Sequence, residues 1–99
     1  MNAKQLKKHI SKNIQLLFEK GEFQHWAVMA EYLDIPGSSL SNLKFAKTNM
    51  GLRIIGQFAK GFPGISLNWL ILNEGPMMAD GTNSLKINVK LRDKILTKY

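Results

Sequence analysis

Apolar residues first recur at helical spacing in Leu6, Ile10, Ile14, Leu17 and Phe18, at intervals of three and four that line one side of a helix over about residues 3 to 20. Gly21 is placed to end it. Lys4, Lys7, Lys8 and Lys12 fall off that stripe, as a solvated face or as side chains that flank phosphates. The same reading predicts helices over about 24 to 33 and 37 to 45. A fourth runs from near Gly51 to Lys60, with Leu52, Ile55, Phe58 and Ala59 as its inward side. Gly61 suits a left-handed cap, with Phe62 packing behind it and Pro63 preventing continuation. Ser66 is placed to cap a short fifth helix, Leu67 to Leu72, whose Trp69 is assigned to the core, as is Trp26.

Ala79 to Ser84 is small and polar and reads as a linker, dividing a body of residues 1 to 78 from a segment of residues 79 to 99. Within that segment Leu85, Ile87, Val89 and Leu91 alternate with Lys86, Asn88, Lys90 and Arg92. Period-two alternation predicts a strand with one apolar face. A lone strand needs a partner, and the same strand of a second subunit would supply one. A helix using Leu91, Ile95 and Tyr99, or a frayed tail, stands as the alternative.

The stretch WAVMAEYLDIPGSSLSNLK, Trp26 to Lys44, carries the functional information. Val28, Met29 and Leu33 give one short helix a buried side, Ala30 lets a second helix cross closely, and Ile35 anchors the corner. Leu40 and Leu43 give the second helix its own buried edge. Gly37, Ser38, Ser39, Ser41 and Asn42 occupy its start and remaining faces, where short hydrogen-bonding side chains meet base edges and phosphates. This pattern is a helix-turn-helix. It resembles the domains of phage repressors and Cro-like regulators, and the resemblance continues through FAKGFPGISLNWLILNEGPM, Phe58 to Met77, which is similar to the final part of their five-helix domain.

The resemblance implies an all-α, five-helix lambda-repressor-like domain with a C-terminal extension that the alternation makes a dimerisation strand. It implies a cytoplasmic transcriptional repressor that binds a palindromic double-stranded DNA operator as a homodimer, with no cofactor. Ser38, Ser41 and Asn42 are then the expected base readers, and Lys44, Lys47, Thr48 and Asn49 the expected phosphate clamps. No Arg lies on the second helix, which removes bidentate guanine readout and leaves part of the specificity to DNA shape. Four positions depart from the family. Asp34 stands at the corner where Gly is usual, Pro36 replaces the hydroxyl cap and moves the helix start to Gly37 or Ser38, Trp26 stands where a phosphate-binding Gln is common, and Ala46 where Gly is. No phosphate contact is therefore carried over to Trp26 or Ala46.

Size and charge narrow the field further. Ninety-nine residues form one domain, and a net charge of +7 favours a polyanionic partner. Without cysteine there is no disulfide or thiolate metal site. No apolar run approaches the roughly 18 residues of a membrane span. His9 and His25 lie on different elements with no ligand cluster around them, no phosphate-binding glycine loop follows a strand, and no base and orienting acid can be assigned to the serines, so an enzyme or a small-molecule site is not expected. The competing reading is a helix-turn-helix module that binds another regulator, as an antitoxin-like or antirepressor component. Lys44 and Lys47 beside the second helix count against it.

Overall fold

Asn2 opens the chain's first helix with a capping box. Its side chain accepts the Gln5 N–H at 2.9 Å, and the Gln5 side chain accepts the Asn2 N–H at 2.9 Å. The computed structural model describes residues 1–99 as six helices and no strand. These are α1 (Ala3–Lys20), α2 (Trp26–Leu33), α3 (Gly37–Lys44), α4 (Leu52–Gly61), α5 (Leu67–Leu72) and α6 (Val89–Leu96). No helix is long and apolar enough to cross a membrane.

Ile10, Ile14 and Leu17 of α1 are buried as the spacing requires, while Leu6 and Phe18 are half-buried at the edges of the stripe. Here α1 packs on α5 and α3, and α2 packs on α3, α4 and α6. A buried polar side chain, Asn13, joins α1 to α5. Asn13 Nδ2 donates to the carbonyls of Trp69 at 2.8 Å and Leu70 at 3.4 Å, adding to the Asn73 N–H that already reaches the Trp69 carbonyl at the end of α5. Ser66 caps α5 by accepting the Trp69 N–H at 3.2 Å, and Trp69 lies in the core. The chain after α5 folds back through a single Ile65–Met78 bridge and buries Met77 and Met78.

Three expectations are corrected. The second helix begins at Trp26 rather than near residue 24, because Glu22 and Gln24 take left-handed backbone angles (φ 52° and 68°) that no helix continues. Gly61 is the last residue of α4 and not a left-handed cap. An added Cβ there would sit 2.8 Å from Leu33 Cδ2 and 3.1 Å from Tyr32 Cε2, so its role is the close approach of α4 to α2. That approach also sets the rotation of α4. Phe58 is buried, Ile54 and Ile55 are half-buried, and Leu52 and Ala59, expected inward, are exposed.

The largest correction concerns the C-terminal segment, which forms no strand. Leu85 and Ile87 do alternate inward along an extended stretch, half-buried against the core. At Asn88 the pattern changes. Its side chain accepts the Leu91 N–H at 3.0 Å and starts α6, which lays Ile95 into the core and Leu96 against it. Asn88 N–H donates to the Tyr32 hydroxyl at 2.9 Å, which in turn donates to the Gly61 carbonyl at 2.5 Å. Burial pushes the Tyr32 hydroxyl above its ordinary pKa, against the opposing pull of the Asn88 N–H and Arg92, so it stays protonated as the Gly61 donor. Arg92 reaches across to the Gly21 carbonyl at 2.9 Å, and Lys98 pairs with Glu31 at 2.8 Å. The segment therefore ends as a helix on the outer side of α2.

Candidate nucleic-acid interface

The corner between α2 and α3 is built by one left-handed residue. Asp34 has φ 55° and ψ 49°, and with this turn the N–H groups of Asp34 and Ile35 return to the carbonyls of Glu31 and Ala30 at 3.1 and 3.0 Å. Gln57 Nε2 on α4 donates to the carbonyls of Leu33 at 3.1 Å and Asp34 at 3.3 Å, which fixes the corner from behind. Ile35 is buried beneath it. Pro36 then sets the entry into α3, which starts at Gly37 with no side-chain cap. A Cβ on Gly37 would meet nothing within 4 Å, so this end of the helix is open to an incoming group.

Leu40 and Leu43 anchor α3 at 2% exposure each, and this fixes where its other side chains point. Ser38, Ser41 and Asn42 are exposed, as is Gly37, and Ser39 is half-buried. Thus the expected base readers share the outer surface of one helix. After α3, Lys47, Thr48 and Asn49 are exposed on a loop entered through Ala46 at φ 57°. A non-glycine residue there is held in a costly conformation. Ala46→Gly should therefore stabilise the fold by about 0.5–1 kcal/mol and raise the melting temperature by a few degrees, as thermal unfolding followed by circular dichroism will show.

Lys44 is placed differently from the other expected phosphate clamps. It is half-buried, with its Nζ 4.6 Å from the Trp26 ring centroid and 5.0 Å from that of Phe45. Trp26 in turn stacks on Phe18, with centroids 4.0 Å apart and planes 8° from parallel. Its ring is half-buried at the edge of the core, and it lines, with Ala27, Gly37, Leu40, Ser41 and Lys44, a notch of about 210 Å³ between α2 and α3. Sequence reasoning assigned Trp26 to packing and missed this. The run of Trp26, Lys44 and Phe45 in one motif is visible in the chain, but their meeting depends on the crossing of α2 and α3.

A second link ties α1 to this surface. Ser11 Oγ donates to the Lys44 carbonyl at the end of α3. Helical geometry puts Lys4, Lys7 and Lys8 on the side of α1 that carries Ser11, seven, four and three residues before it. Lys4, Lys7 and Lys8 therefore share with Ser11 the side of α1 that meets the end of α3, where Lys44 lies. No Asp or Glu occurs in residues 1–18 or 35–73. The acidic residues sit instead at the end of α1 and just after it, on α2 and its corner, and in the C-terminal third; Glu22 and Asp93 engage Arg92, and Glu31 engages Lys98. This separation leaves the α1–α3 face with positive charge uncompensated by neighbouring carboxylates.

His25 precedes α2 and stacks on Tyr99 at 5.8 Å, and no three His, Cys, Asp or Glu side chains converge as metal ligands. Comparison with protein-family models, with curated proteins and with solved structures returned no match to this chain.

Proposed function

We propose that the chain is a sequence-specific double-stranded DNA-binding regulator, with α1 to α5 as a lambda-repressor-like domain and α3 as its recognition helix. The observation that carries the proposal is the outer surface of α3, polar and free of acid, bordered by the lysines of α1 and of the loop after α3. Such a helix fits the major groove with Ser38, Ser41 and Asn42 toward base edges, Asn42 being suited to pair with adenine through its amide. Lys44, Lys47, Thr48 and Asn49 would meet phosphates on one side, and Lys4, Lys7 and Lys8 would extend the contact along the backbone.

Repression would be steric, with a bound dimer covering a two-fold operator and excluding polymerase. Two recognition helices must then lie about 34–36 Å apart. With residues 89–96 docked on α2, the dimer contact is sought on the helical body. Leu67, Ile71 and Leu72 on α5, together with the 88% exposed Leu52 on α4, are apolar side chains that the body offers for it, whereas Met77 beside α5 is buried.

Binding to duplex DNA at two salt concentrations tests the proposal. Replacing Lys47 by Ala should weaken binding to every sequence alike and lower the slope of log affinity against log salt by about one. Lys44→Ala should do the same. An unchanged slope in both variants would take these lysines out of the interface.

A further inference from the structure

We infer that Trp26 and Phe45 are positioning residues for the Lys44 ammonium, holding it at the mouth of the α2–α3 notch as a preset phosphate contact. The inference rests on the DNA-binding reading and names a specific device within it. A lysine at the end of a short helix ordinarily samples many rotamers, and ordering it on binding opposes affinity. Here the charge is instead lodged against two rings, 4.6 Å from Trp26 and 5.0 Å from Phe45, where the negative ring faces attract it.

The holder is itself fixed. Phe18 stacks on Trp26 at 4.0 Å, so the indole cannot swing away without leaving the α1 surface. Lys44 is also held at its backbone, because Ser11 takes its carbonyl. Phe45, at 60% exposure, is poorly explained by packing, yet Lys44 lies over its ring and Lys47 Nζ stands 5.9 Å from it. No carboxylate pairs with Lys44, so the rings orient the charge without neutralising it. The ammonium keeps its attraction for an oxyanion arriving beside Ser41 in the notch. Trp26 thus does by orientation what a hydrogen-bonding side chain at the start of α2 would do by direct contact.

A double-mutant cycle on a duplex selected by the protein tests this. Trp26→Leu and Phe45→Ala should each lower affinity about three- to tenfold in the wild-type background, and by much less once Lys44 is replaced by Met. Trp26→Phe, which keeps a ring on Phe18, should retain most of the affinity. Phe45 is exposed enough that its variant folds even if Trp26→Leu does not. In the free protein, NMR should find the Lys44 ε-methylene protons shifted upfield by the rings, and the shift should diminish in Phe45→Ala. Equal losses in the presence and absence of the Lys44 side chain, or unshifted Lys44 protons, would overturn the positioning role while leaving DNA binding intact. Failure of the wild-type chain to bind duplex DNA would overturn both.

Discussion

A chain ending at Ala79 should unfold far more easily than the full chain, because α6 completes the body instead of projecting from it. Ile95 is 4% exposed, Leu85, Ile87 and Leu96 pack against the core, and Arg92 and Asn88 bond to Gly21 and Tyr32. Truncating the Ile95 side chain alone should cost about 2–5 kcal/mol. Removing the whole segment should cost at least as much, a large share of the roughly 5–15 kcal/mol of a small domain, and lower the melting temperature by more than about 10 °C. Point variants sharpen the expectation. Ile95→Asp buries an unpaired charge and should be severe, whereas Val89→Asp, at a 49% exposed position in the first turn of α6, should be nearly neutral. Thermal unfolding by circular dichroism reads all four. A truncated chain with full-length stability would show that α6 is not part of the cooperative unit.

The second large effect is expected in recognition. Asn42→Ala should weaken binding to the preferred duplex by about 1–3 kcal/mol and relax the preference at one base pair per half-site. The melting temperature should stay near that of the wild type, because the side chain is exposed while Leu40 and Leu43 hold the helix in place. Competition binding against duplexes substituted one pair at a time measures both the loss and its position. A loss uniform over all sequences would make Asn42 a backbone contact and pass base reading to Ser38 and Ser41.

What the sequence made legible was local. The three-and-four spacing of Ile10, Ile14 and Leu17, the Ser66 cap, and the corner at Asp34 each depend on neighbours within a few residues, and each stands where that chemistry puts it. The outward direction of Ser38, Ser41 and Asn42 followed from Leu40 and Leu43 by helix geometry alone.

What escaped the sequence depended on contacts between distant residues. In α4, Leu52 and Phe58 were equally plausible inward residues until the approach of Gly61 to Leu33 and Tyr32 chose the rotation. From Leu85 to Leu91 the alternation is real but serves two structures, an extended strap at Leu85 and Ile87 and a helix from Val89. The local sign of that change was Asn88 three residues before Leu91, an N-cap spacing that the apolar alternation outweighed. Asn13 and Ser11 lay hidden because their partners are backbone carbonyls, of Trp69 and Lys44, which no side-chain pattern reveals. The lodging of Lys44 between Trp26 and Phe45 likewise exists only once α2 and α3 cross.

The central claim, sequence-specific duplex binding through α3, is tested most directly by selecting bound molecules from a pool of random DNA duplexes with the full chain. The expected result is rapid enrichment of one motif, repeated as an inverted pair with half-site centres about one helical turn apart. A pool whose bound fraction stays as random as the input would contradict it, and would turn attention to a protein partner for the same helix.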